Sequence, residues 1–182
     1  MGAKLSKAFD KAKENKEIKI DLTGKGIEDL PPNIGTVETL THLNLSRNEL
    51  RKLPSTIGNL RNLTFLSLFQ NQLKELPHEI TQLTNLETLN LSINKLPALP
   101  RGFGSFNHLF FLDLSYNKLT EVLEDEAKRG PEVLIKYLKS DAYDTIYYRE
   151  TGKARPPTTT LTNSATTTTT TTPAAATTTS SP

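Results

Sequence analysis

The chain repeats itself at a constant interval. The segment THLNLSRNELRKLP at residues 41–54 returns 23 residues later as TFLSLFQNQLKELP at residues 64–77. The same period continues outward in both directions, and each unit has leucines, one asparagine and one proline at fixed places. The asparagines are Asn48, Asn71, Asn94 and Asn117, and the prolines are Pro31, Pro54, Pro77 and Pro100. A fixed period of this length indicates structural units that stack along one axis.

Within each unit the pattern L-x-L alternates with period two, which predicts a short strand whose leucines point inward. A strand this short cannot bury its apolar face alone, so successive units should stack with their strands parallel. A buried asparagine can satisfy the backbone groups left unpaired where the chain turns, and proline can begin the return half. The predicted fold is an α/β solenoid with a parallel β-sheet on its concave face.

The full unit, LxxLxLxxNxLxxLPxxIxxLxxL, resembles the leucine-rich repeat in its 23-residue intracellular form. The resemblance covers residues 18–122 and implies a leucine-rich repeat solenoid. The expected units are 18–40, 41–63, 64–86, 87–109 and a partial one at 110–123.

Both open ends of such a stack need a cover. Residues 1–17 are predicted to be a basic segment with a capping helix, because residues 4–14 place Leu5, Ala8, Phe9 and Ala12 on one helical face. Residues 124–155 are predicted to be a C-terminal helical cap, in which one helix begins at Pro131 and continues through Tyr148. Residues 156–182 are expected to be a disordered tail, since 14 of the 25 residues from Thr158 onward are threonine and none is charged.

The outward strand positions form columns on the concave face, and several of them hold aromatic or aliphatic residues. Exposed aromatics beside polar groups are typical of a protein-binding surface. Two alternatives remain open: the C-terminal segment folds over part of this surface, or the aromatics are merely tolerated there. The predicted partner-binding residues are His42, Arg47, Phe65, Phe69, Ile93, Phe111, Asp113 and Tyr116.

No constellation for catalysis is present in the sequence. The chain has no cysteine, and its three histidines occupy different positions of their repeats. We therefore expect no enzyme activity, no metal site and no cofactor. There is no basic stripe with stacking aromatics, so nucleic acid is not an expected partner.

The first residues, MGAKLS, match the N-myristoylation motif, with Gly2 as the acyl acceptor. One acyl chain binds membranes only marginally, so a second signal is needed. Lys4, Lys7 and Lys11 could supply it by facing anionic lipid. No apolar run approaches membrane-spanning length and no secretory signal follows Met1, so a cytoplasmic protein, or one at the cytoplasmic face of the plasma membrane, is expected. The alternative is that the segment only caps the solenoid.

Two stretches are similar to the Ras suppressor family of intracellular leucine-rich repeat proteins: LPRGFGS at residues 99–105 and the segment 137–149. This chain has about five units, fewer than that family. The resemblance implies a scaffold in adhesion and Ras-type signalling, with a LIM-domain adaptor as the partner. The leading hypothesis is a non-catalytic interaction scaffold tethered to the inner membrane. The alternative is a soluble regulatory subunit that binds a phosphatase or a small GTPase.

Overall fold

The computed structural model describes residues 2–154 and has five short strands in one sheet. Neighbouring strands pair in parallel and in chain order, and every register step is one repeat, as in the pairing of Lys19 with His42 and of His42 with Phe65. The predicted solenoid is confirmed. The strands are β1 (Lys19–Asp21), β2 (His42–Asn44), β3 (Phe65–Ser67), β4 (Thr88–Asn90) and β5 (Phe111–Asp113).

The return half of each repeat is a short 3₁₀ turn on the side opposite the sheet. Three of these turns follow a proline, whose φ lies between −62° and −69° and needs no amide donor at that point. The leucines and isoleucines between strands and turns form one continuous core. The turns are Pro32–Thr36, Ser55–Asn59, His78–Gln82 and Phe103–Ser105.

The asparagines form the expected ladder inside the coil. Asn71 accepts a hydrogen bond from the backbone N–H of Leu50 at 3.1 Å. Its side-chain amide donates to the carbonyl oxygens of Leu45 and Leu68, each at 3.0 Å. Asn48, Asn94 and Asn117 repeat these bonds in their own units. Each asparagine therefore satisfies backbone groups of two successive repeats.

Helix α1 (Gly2–Glu14) covers the first end of the core. Leu5, Phe9 and Ala12 are buried in the core, whereas Ala8, which was expected on the same face, is exposed. The contact stripe is narrow, and Ala8 lies about 60° from Leu5 around a helix of 3.6 residues per turn. The side-chain amide of Asn33 donates to the carbonyl of Ser6 at 2.9 Å, which fixes α1 to the first turn.

Three helices follow the last strand, where the sequence predicted one: α2 (Glu121–Lys128), α3 (Pro131–Leu138) and α4 (Asp141–Thr151). The expected helix from Pro131 ends at Leu138 because Ser140 starts a new one: its hydroxyl donates to the carbonyl of Tyr137 and accepts from the N–H of Tyr143. Helix α2 begins at Glu121, before the expected cap boundary at residue 124, since Thr120 is its N-cap. The predicted tail, residues 156–182, lies outside the described residues.

Tyr143 anchors the C-terminal cap to the fourth repeat. Its buried hydroxyl accepts from the N–H of Leu99 at 2.8 Å and donates to the carbonyl of the same residue. Burial raises the pKa of Tyr143 well above its ordinary value, although the bond to Leu99 acts in the opposite direction. Beside it, the Arg101 guanidinium binds the Asp144 carboxylate at 2.6 and 2.8 Å. These contacts hold α4 against the return half of the coil.

Candidate functional site

The outward side chains of the five strands lie side by side on the concave face. Parallel pairing places His42 next to Phe65, and the two rings stack with their centroids 5.8 Å apart. The same row continues through Thr88 to Phe111 on β5. Three of the predicted residues thus share one row, and two of them are in direct contact.

A second row follows the C-terminal ends of the strands. The N–H of Arg47 donates to the carbonyl of Phe69 at 2.7 Å, and the Arg47 guanidinium lies 5.9 Å from the centre of the Phe69 ring. The N–H of Ile93 donates to the carbonyl of Ser115, one residue before Tyr116. The structure therefore brings Arg47 together with Phe69 and places Ile93 next to the Tyr116 segment.

The backbone of this row is left-handed. Gly24 takes this position in the first repeat, with φ of 66°. The residues at the equivalent position of the next four repeats have φ between 53° and 56°. The left-handed region is unfavourable for side chains other than glycine and is a marked outlier for a β-branched residue. Ile93 nevertheless adopts it, with 40% of its surface exposed. The residues with this conformation are Arg47, Gln70, Ile93 and Tyr116.

Asp113 lies between the two rows and also holds a turn. Its carboxylate accepts from the N–H of Ser115 at 3.0 Å and from the Ser115 hydroxyl at 2.7 Å. Partial burial raises the pKa of Asp113, but these hydrogen bonds outweigh it and the pKa lies below its ordinary value. Asp21, the equivalent residue of the first strand, has a lowered pKa because Thr23 donates to it in the same way. Both carboxylates are therefore ionised at neutral pH.

The described part of the C-terminal segment leaves the concave residues accessible. Helices α3 and α4 pack against the fourth return turn and Leu99, on the side away from the strands. Phe111 and Tyr116 are exposed, and His42, Phe65 and Phe69 are partly buried by their neighbours. All eight predicted residues lie on one face.

Phe110 is an exposed aromatic residue that the sequence prediction missed. The equivalent positions in the three preceding repeats are Thr41, Thr64 and Glu87, all polar. The appearance of phenylalanine after three polar equivalents was the available signal, although the first repeat also has an apolar residue here, Ile18.

The predicted lipid-facing residues lie elsewhere. Lys4, Lys7 and Lys11 are exposed on α1, which packs beside the first return turn rather than the sheet. Gly2 is exposed at the start of the same helix. None of the helices within residues 2–154 is both long enough and apolar enough to span a bilayer.

Comparison with known proteins gives the family of the repeats. The leucine rich repeat model matches residues 19–73 and 70–119. The leucine-rich repeat domain of APL1B is similar in structure, with a TM-score of 0.54 and 28% identity over 63% of this chain and 36% of that one. A leucine-rich repeat protein of Leptospira interrogans is 38% identical, with a TM-score of 0.45, over 60% of this chain and 34% of its own.

A third structure, of PEPR1-AtPEP1, is 31% identical with a TM-score of 0.48, over 52% of this chain and 14% of that chain. The matched region thus spans about a third or less of each of these solved chains. A search of curated proteins finds no match.

Proposed function

Because the chain belongs to the leucine-rich repeat family, whose members generally mediate protein–protein interaction, we propose that it is a non-catalytic scaffold that holds a protein partner on its concave face. The observation that carries this proposal is Ile93. A β-branched side chain in the left-handed region costs about 1–2 kcal/mol relative to a relaxed backbone. Packing within the chain leaves 40% of its surface exposed on the concave face, and contact with a partner would bury this remaining apolar surface.

The neighbours of Ile93 suggest what such a partner presents. Phe69 and Tyr116 lie in the repeats on either side of Ile93, Arg47 is cationic and Asp113 is ionised. A partner surface with an apolar centre and charges of both signs at its rim would match this arrangement.

The first prediction separates binding from folding at Ile93. Ile93→Asn should change the free energy of unfolding by less than about 1 kcal/mol, because asparagine tolerates the left-handed backbone better but gives up the burial of a partly covered isoleucine. The same variant, and Phe65→Glu, should lose a partner that the unmodified chain captures from its own cells. Urea unfolding followed by circular dichroism and quantitative pull-down mass spectrometry measure the two effects.

The matched control is Asn59→Glu, which adds a charge to an exposed position of a return turn and should leave capture unchanged. Equal capture by Ile93→Asn, Phe65→Glu and the control would place the binding surface elsewhere.

The proposed setting is intracellular signalling of the Ras or adhesion type, with a LIM-domain adaptor as the candidate partner. Its support is the resemblance of residues 99–105 and 137–149 to the Ras suppressor family. These two stretches touch each other through Leu99 with Tyr143 and Arg101 with Asp144, so part of the resemblance reflects how the cap is held. The alternative partner is a phosphatase or a small GTPase, in which case the chain is a soluble regulatory subunit. The mass-spectrometric identity of the captured partner decides between them.

We also propose that Gly2 is myristoylated and that the chain associates reversibly with the cytoplasmic face of the plasma membrane. A Cβ added at Gly2 would meet nothing within 4 Å, so the segment is sterically open. The buried stripe of Leu5, Phe9 and Ala12 faces the core while the three lysines lie about 100–160° away around the helix. One helix can therefore cap the solenoid and present a basic face.

The second prediction tests this tether with vesicles. The full chain, made in a bacterial host that also expresses an N-myristoyltransferase, should sediment with vesicles containing phosphatidylserine. An acyl chain gives an association constant of about 10⁴ M⁻¹, and each surface-adjacent lysine adds about 1 kcal/mol. Gly2→Ala should remain in the supernatant, and high salt should weaken the binding of the acylated chain. An unmodified mass at Gly2, or equal sedimentation of both proteins, would end the proposal.

A further inference from the structure

Among residues 2–154, nothing pairs with the outer edge of the last strand of the sheet. On β5, Phe111 and Asp113 bond to the preceding repeat: the N–H of Phe111 donates to Glu87, and the carbonyl of Asp113 accepts from Leu91. Backbone groups alternate sides along a strand, so Leu112 points its N–H and carbonyl away from the sheet.

The groups on either side of Leu112 are also unpaired. In the fourth repeat, the N–H groups of Leu91 and Ile93 donate to the next strand segment. Their equivalents one repeat later, Leu114 and Tyr116, have no backbone acceptor within residues 2–154, and the carbonyl of Phe110 has no donor there. Unpaired strand edges of this kind are ready templates for another strand.

Large apolar side chains gather at this edge. Phe110 is 70% exposed, Phe111 44% and Tyr116 79%. A groove of about 560 Å³ lies between the β5 segment and α2, with Leu112, Leu114, Leu119 and Ala127 among its lining residues. The cap helices therefore cover the return half of the coil and leave its strand edge open.

We propose that the chain forms a two-fold homodimer in which β5 pairs antiparallel with β5 of a second copy. With the two-fold axis at Leu112, each Leu112 exchanges both backbone hydrogen bonds with Leu112 of the second copy. Leu114 N–H then donates to the carbonyl of Phe110 of the second copy, and the symmetric bond forms in return. The unpaired donors and acceptors match one another in this register, which places Phe111 opposite Asp113 of the second copy.

The available area supports a second copy as the occupant. Aromatic side chains bury about 150–250 Å² each when they are fully covered. From their exposed fractions, the three aromatics at this edge could lose about 300–480 Å² per copy, and symmetry doubles this to about 600–960 Å². Specific interfaces begin near about 1,000–1,200 Å² in total. The strand edges and α2 can supply the remainder, whereas a single extended peptide would bring no second set of aromatics.

The test uses cysteines, because the chain has none of its own. Full-length Phe111→Cys and Asp113→Cys are oxidised separately and as a mixture. In the proposed register residue 111 faces residue 113 across a non-hydrogen-bonded pair with Cα atoms about 4.5 Å apart, within disulfide range. Identical positions lie on a diagonal about 7–8 Å apart, which is too far. Only the mixture should give a disulfide-linked dimer.

Analytical ultracentrifugation of the unmodified full chain gives a second, independent test, because it needs no substitution. It should show a concentration-dependent dimer, and Phe110→Asp should weaken the dimer at least tenfold, whereas Phe65→Glu, two strands away from β5, should not. A full chain that remains monomeric at every concentration would overturn the proposal. So would the finding that residues 155–182 or an unrelated peptide, rather than a second copy, pair with β5. So would a mixture of the cysteine variants that cross-links no more than either variant alone.

Discussion

Asn71→Ala is expected to lower the free energy of unfolding by about 3–5 kcal/mol, because it leaves one buried backbone N–H without an acceptor, at about 1–3 kcal/mol, and removes two further hydrogen bonds worth about 1 kcal/mol each. The N–H of Leu50 loses its acceptor, whereas the carbonyl oxygens of Leu45 and Leu68 each lose one of two donors and keep the bond from the neighbouring asparagine of the ladder. Since domains of this size are stable by only about 5–15 kcal/mol, the loss is a large fraction of the total. Urea unfolding followed by circular dichroism measures it.

The control for this prediction is Asn59→Ala. Asn59 is exposed on a return turn, and its replacement should change stability by no more than about 0.5 kcal/mol. Asn117→Ala, in the last and partly buried rung, should fall between the two. Equal losses at Asn71 and Asn59 would mean that water satisfies the N–H of Leu50 and that the asparagine ladder contributes little to stability.

The ladder and the sheet were predictable from the sequence for the same reason. A 23-residue period carries each leucine of the strands and each asparagine into register with its counterpart, so one repeat defines all the others. The irregular ends carry no such redundancy. The break between α3 and α4 depends on the two hydrogen bonds of Ser140, and neither glycine nor proline marks it in the sequence.

The left-handed row could not be predicted from residue types. Gly24 is the only glycine in that position, and arginine, glutamine, isoleucine and tyrosine at the equivalent places carry no local preference for positive φ. The hydrogen bonds to the next repeat impose the conformation, as at Arg47 and Phe69. The partner-binding role of the concave residues stays a prediction, although their placement on one face follows from the register.

Glycine has a different use on the opposite side of the coil, where the return turns stack closely. A Cβ at Gly35 would lie 2.3 Å from the carbonyl oxygen of Thr56, and one at Gly58 would lie 2.4 Å from that of Glu79. These neighbours are backbone atoms of the next repeat, so only a shift of the coil could relieve the overlap. Glycine here is required by close approach rather than by backbone angle.

The third repeat shows how the chain avoids this restriction. Thr81 takes the place of the glycine, and the residue that faces it one repeat later is Gly102, with φ of 85°. The atoms of Thr81 nearest to a Cβ added at Gly102 would be 3.6 Å away, an ordinary contact. The fourth return turn is accordingly shorter, Phe103–Ser105, and begins after a glycine instead of a proline. The irregular segment PRGFGS, residues 100–105, thus leaves room for the side chain of Thr81.

Gly58→Ala should therefore destabilise the protein by about 3 kcal/mol, as expected for overpacking against a rigid neighbour. Gly104→Ala is the matched control, because it changes the same repeat position. The atom nearest to its added Cβ is Cγ of Lys139, at 2.6 Å, in a flexible side chain that can move away. The loss at Gly104 should be below about 1 kcal/mol, and thermal and urea unfolding of both variants measure the difference. If the two substitutions lower the free energy of unfolding equally, the repeats can move apart at Gly58. Close stacking of the return turns would then not be the reason for glycine at this position.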